Sequence, residues 1–85
     1  MEHVVTLKNR KFSATRLQAK LGDSVIFRNE DASPHSIYSN SSERTFDLGA
    51  FGKGEARTIY LTKEGRIDVS CAIHPEMKMV IEVGR

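Results

Sequence analysis

Seven residues carry most of the chemistry legible in this chain: Cys71-Ala72-Ile73-His74-Pro75-Glu76-Met77. They place a thiol, an imidazole and a thioether at i, i+3 and i+6. With three His and three Met in 85 residues, that order after the one Cys arises by chance roughly once in 800. Binding a metal is the chemistry that uses such a set, and the donor types narrow which metal. Zinc takes thiolate, imidazole and carboxylate in a tetrahedron. Copper accepts a thioether, and a trigonal His₂Cys set with a weak axial Met suits electron-transfer copper. That arrangement needs a second histidine. His35 is placed for it, in Asn29-Glu30-Asp31-Ala32-Ser33-Pro34-His35-Ser36, directly after an apolar Val25–Phe27 segment. Pro34 fixes its own φ and stiffens the approach to His35.

Each of these residues also has a plainer reading. A lone Cys is most often a small buried hydrophobe, and a Met is most often core filler. Met77 and Met79 share strand parity, so one of them is expected to fill the core. The four phenylalanines read as core and loop packing, since no basic stripe accompanies them for nucleic-acid stacking. Lys8, Arg10 and Lys11 read as a solvated turn. Only the combination of Cys71, His74, Met77 and His35 favours a metal centre.

The elements that must position these residues read as strands, because the apolar period is mostly two. Val5 and Leu7 alternate with Thr6. Ile67, Val69 and Cys71 alternate with Asp68 and Ser70. Met77, Met79, Ile81 and Val83 fall on one parity. Val25, Ile26 and Phe27 read as a strand buried on both faces. Ile37-Tyr38 and Ile59-Tyr60-Leu61 mark two more, with a polar loop between them. Ala14, Leu17 and Leu21 would fit two helical turns, but Leu17/Ala19 closed by Gly22-Asp23 fits a strand and turn better. Seven or eight short strands with turns every 8–12 residues predict an all-β, antiparallel Greek-key sandwich.

Length and composition bound the rest. A chain of 85 residues and 9.5 kDa reads as a single domain over residues 1–85, with no repeat or linker. The 13 basic and 11 acidic residues are scattered, without the basic run that nucleic acid would need. No apolar run approaches the ~20 residues that span a bilayer, so no membrane insertion is expected. One cysteine excludes an internal disulfide. Met1 to Arg10 lacks the apolar stretch of a signal peptide, which predicts a cytoplasmic protein or a mature secreted form.

Several of these residues together resemble the cupredoxins, the small type 1 (blue) copper proteins. Phe12, Leu17, Ala19, Gly22-Asp23, Val25, Phe27, Asn29 and Asp31 follow the first half of that pattern. Pro34-His35, Phe46-Asp47, Gly49, Gly54 and Gly65 follow the second. Two residues between Cys71 and His74, and two between His74 and Met77, are similar to the short ligand loop of amicyanin-like members. The chain departs from the pattern at Ile67, Val69 and Ser70, where aromatic residues often precede the cysteine. It also departs at Ser36 and Ala72, where polar residues often tie the ligand loops.

The resemblance implies one type 1 copper ion held by His35, Cys71, His74 and Met77, with Asn29 bracing the cysteine loop. It implies a one-electron carrier, not an enzyme, that cycles between Cu(II) and Cu(I) in a periplasmic or extracytoplasmic compartment. The alternative is a copper-handling protein, a chaperone or store. It further implies a monomer that docks transiently with redox donor and acceptor proteins near His74, on a rim of Pro34, Phe51, Ile73 and Pro75.

Overall fold

Alternation of apolar and polar side chains turns most of this sequence into strands that each bury one face. The computed structural model describes residues 1–85 as nine strands and no helix. They are β1 (Glu2–Lys8), β2 (Lys11–Phe12), β3 (Arg16–Lys20), β4 (Ser24–Asn29), β5 (His35–Ser41), β6 (Arg44–Phe51), β7 (Ala56–Tyr60), β8 (Gly65–Cys71) and β9 (Lys78–Gly84). Two sheets face each other, one in the order β2-β1-β4-β7 and the other β3-β9-β8-β5-β6. The Leu17/Ala19 segment is a strand, as its closing Gly22-Asp23 turn implied.

The sheets are mixed, which corrects the antiparallel expectation. Strand β1 pairs in parallel with β4, Glu2 through Leu7 against Ser24 through Asn29, and β3 pairs in parallel with β9. The chain reverses at the β1–β2 turn and again at Gly22, so β4 returns beside β1 in the same direction. Alternation reports which face a strand buries; it carries no information about the direction of the neighbour. The strand count is nine, above the seven or eight expected. Strand β2 has only two residues, too short to show a period.

Strand β6 corrects the polar-loop reading of 44–51, and a bulge explains why it was hidden. Tyr38 lies opposite Asp47 while Ser36 lies opposite Ala50, so Ile37 faces an extra residue on β6. Gly49 takes φ +70°, a left-handed conformation that glycine tolerates. The extra residue flips parity along the strand, letting both Phe46 and Phe51 face inward five positions apart. Phe51 is thereby set opposite His35.

The core comprises 18 buried residues from both sheets. Phe27 lies at its centre, with Phe12 edge-on at 6.4 Å and Phe46 tilted at 6.3 Å. Ile26 is only half-buried, so β4 buries one face fully and the other in part.

At the far pole from Cys71, Asp23 closes the β3–β4 turn. Its carboxylate accepts the Lys20 amide at 3.0 Å and lies 2.9 Å from both His3 Nε2 and the Met1 ammonium. These contacts, His3 foremost, hold its pKa well below the ordinary carboxylate range. The unfolded chain therefore takes up a proton near pH ~3.9 that the folded chain still refuses. The stabilisation is complete above about pH 5 and is lost progressively as pH falls from there. Asp23→Asn should accordingly lower the urea midpoint at pH 7 and flatten its dependence on pH between 5 and 3. Equal slopes in both proteins would show that this carboxylate does not drive acid unfolding.

Candidate metal centre

Three interior strands of the five-stranded sheet deliver the side chains to one end of the sandwich. His35 opens β5, Cys71 ends β8 opposite Ile37, and His74 sits in the connection to β9. That connection is held short: the Met77 amide donates to the His74 carbonyl at 2.9 Å. The Ala72 amide donates to the Ser36 carbonyl at 2.8 Å, and the Ser36 amide points at Cys71 Sγ at 3.4 Å. Backbone groups thus tie the loops that carry His35 and Cys71, with no part played by the Ser36 hydroxyl and no polar side chain needed at position 72.

His35, Cys71 and His74 converge as a potential ligand group. Cys71 Sγ lies 3.7 Å from His35 Nδ1 and 3.9 Å from His74 Nδ1, and the two nitrogens are 3.3 Å apart. The point equidistant from the corners of that triangle is about 2.1 Å from each. Metal–imidazole and metal–thiolate bonds measure roughly 2.0–2.3 Å. The donor atoms therefore already stand where one first-row ion would hold them. Cys71 and His35 are buried, at 1% and 0% exposure, while His74 is half-buried.

Met77 and Met79 are both buried, but they occupy different places. Met79 pairs with Val69, two residues back along β8 from Cys71, about 6–7 Å down the strand and in the core. Met77 precedes β9, in the connection that carries His74. The soft sulfur beside a thiolate and two imidazoles fits copper better than zinc.

Asn29 braces the opposite loop from the one expected. Its Nδ2 donates to the carbonyls of Ser33 (3.1 Å) and Phe51 (2.9 Å), and its Oδ1 accepts the Asp31 amide at 2.7 Å. It therefore shapes the approach to His35, and no hydrogen bond joins it to the Cys71 loop. Asp31 itself had no assigned role in the sequence. Its Oδ2 is 2.8 Å from His35 Nε2, and the backbone amides of Arg10 and Asn9 help hold its pKa at about 2. The only sequence signal was an acid four residues before the histidine, in a loop with no period to read.

The expected rim also needs one correction. Pro34, Ile73 and Pro75 are exposed, Ile73 at 45%. Phe51 is 2% exposed, with the Arg57 guanidinium 5.1 Å over its ring, and cannot join a surface patch. Its place opposite His35, produced by the β6 bulge, turns it inward.

A two-sheet β sandwich with His, Cys and His donors gathered at one end defines a cupredoxin-like domain. The family model of that description matches residues 1–83, and the chain belongs to this family. It is 30% identical over 91 residues to amicyanin of Paracoccus denitrificans, an alignment covering 93% of this chain; the chain spans 64% of that relative's length. The fold matches a Cu(I) structure of an amicyanin variant with TM-score 0.88 and 25% identity, covering 95% of this chain and 80% of that one. It also matches a Cu-containing nitrite reductase from Thermus scotoductus SA-01 with TM-score 0.92 and 27% identity, covering all of this chain and 23% of that larger one.

Proposed function

We propose that residues 1–85 form one copper-binding domain that acts as a one-electron carrier, not an enzyme, with His35, Cys71, His74 and Met77 as the ligands. The observation that carries this reading is the triangle of two imidazole nitrogens and one buried sulfur, 3.3–3.9 Å on a side. Bound copper would supply one-electron exchange between Cu(II) and Cu(I). Cys71 contributes the thiolate, His35 and His74 complete the plane, and Met77 takes the weak axial position. The ends of β5 and β8 and the short, hydrogen-bonded connection to β9 would hold those residues in place, which keeps reorganisation small.

Half-buried His74, between exposed Pro34, Ile73 and Pro75, offers a small apolar rim to transient donor and acceptor proteins. No helix of the chain is long and apolar enough to cross a membrane. The cupredoxin resemblance supports a monomer working in the periplasm or another extracytoplasmic space.

Adding Cu(II) to the copper-free protein should produce an intense visible absorption, and voltammetry should give a reversible potential. Tight Cu(I) binding without that band would make it a copper-handling protein instead. Met77→Leu should keep copper and colour while raising the potential, because removing a donor disfavours Cu(II). A tenfold change in the Cu(I):Cu(II) preference corresponds to about 59 mV. Met79→Leu should leave the potential nearly unchanged, and the reverse pattern would move the axial role to Met79.

A further inference from the structure

The carboxylate of Asp31 lies against two backbone N–H groups and one ring nitrogen. Its Oδ1 accepts the Asn9 amide at 2.8 Å; its Oδ2 accepts the Arg10 amide at 2.9 Å and lies 2.8 Å from His35 Nε2. An ionised carboxylate offers only lone pairs. A ring proton on Nε2 is the one that satisfies this contact, and it leaves the Nδ1 lone pair toward Cys71 and His74. The ring is fully buried, so water does not compete for either nitrogen.

The far side of this contact is built with some strain. Asn9 and Arg10 both adopt left-handed backbone, φ 54° and 56°, which is unfavourable for a residue with a Cβ, more so for Arg10 than for Asn9. That conformation turns two successive amides toward one anion. The turn between β1 and β2 thus fixes the carboxylate, and the carboxylate fixes the imidazole.

We propose that Asp31 is the positioning residue of the metal centre: it sets the His35 tautomer that leaves Nδ1 free for copper, and its charge, one imidazole away from the ion, favours Cu(II). The proposal rests on the copper reading above for its second half only. The substitution Asp31→Asn keeps the size and loses the match. If its oxygen faces His35 and Arg10, its NH₂ meets the Asn9 N–H, donor against donor. If it flips, the NH₂ meets Arg10 N–H and selects the Nδ1–H tautomer of His35, which has no lone pair for a metal.

Two measurements test this. In the copper-free wild type, long-range ¹H–¹⁵N NMR at pH 7.5 should show His35 as the Nε2–H tautomer, and Asp31→Asn should mix or invert it. In the copper-loaded proteins, Asp31→Asn should weaken Cu(II) binding by about 10–100-fold. It should also raise the potential by the equivalent of about tenfold in Cu(I):Cu(II) preference, ~59 mV. The visible band should survive, since Cys71 is untouched. Asp31→Glu should restore the tautomer and most of the potential, and it serves as the test should Asp31→Asn not fold. An Nδ1–H tautomer in the wild type overturns the proposal. So does an Asp31→Asn protein whose only change is a lower unfolding midpoint, since a simple turn cap would do that. A wild type with the Nε2–H tautomer but no visible band on adding Cu(II) would refute the copper reading and uphold the hold of Asp31 on His35.

Discussion

Replacing Cys71 with Ser should erase the visible absorption of the copper-loaded protein altogether. The band requires charge transfer from a thiolate, and no other residue of the chain can supply one, Cys71 being its single cysteine. A serine hydroxyl is neither soft nor ionised near neutral pH, so it replaces the sulfur in volume but not in chemistry. Copper affinity should fall by more than the 10–100-fold typical of losing an outer partner of a ligand. The fold should survive, because Ser36 N–H, 3.4 Å from the sulfur, can serve the new oxygen. Optical titration with Cu(II) and a urea melt of the copper-free variant separate the two effects. Colour that persists in Cys71→Ser would remove Cys71 from the site.

The largest effect on stability is expected from Asn29→Ala. Asn29 is wholly buried, and its side chain satisfies two carbonyls and one amide of three different residues. Its backbone joins in: the Asn29 amide donates to Glu55, and its carbonyl accepts Gly54. Alanine leaves the Phe51 and Ser33 carbonyls and the Asp31 amide without their partner, at about 1–3 kcal/mol for each group that water cannot reach. The expected loss is about 2–4 kcal/mol, a large part of the ~5–15 kcal/mol that holds a domain together. Chemical denaturation of the copper-free protein measures it. Asn29→Asp should not rescue it, since a carboxylate oxygen would then face two carbonyls. A loss under about 0.5 kcal/mol, the size of an ordinary surface change, would mean that the loop before His35 holds its shape without this amide.

The residues proposed as ligands were legible because most of them are local. Cys71, His74 and Met77 lie within seven consecutive residues, and Pro34-His35 lies in the short segment after the apolar run Val25–Phe27. The burial of Leu7, Ile67, Val69 and Ile81 followed from the period-two alternation, and that of Val25 and Phe27 from their apolar run. What stayed hidden depends on groups distant in sequence or on broken periods. The contact of Asp31 with Asn9 and Arg10 spans more than 20 residues and runs through backbone amides, which every residue has. Strand β6 was masked by the extra residue at its bulge, and β2 by its brevity. Parallel pairing of β1 with β4 leaves no trace in a one-residue pattern. Asn29 was expected to brace the cysteine loop and holds the loop before His35 instead, because a buried amide bonds whatever carbonyls the turn brings to it.

Neither strand that carries His35 or Cys71 lies at the margin of its sheet, nor does β9, into which the His74 connection runs: β5 sits between β8 and β6, β8 between β9 and β5, and β9 between β3 and β8. Their amides are therefore released to solvent deuterium only when the whole sheet opens, whereas β3 and β6 can fray. Exchange at Ile37, Val69 and Met79 should run at one slow, common rate in the copper-free chain. The ion then meets a finished receptacle, and its arrival follows folding instead of driving it.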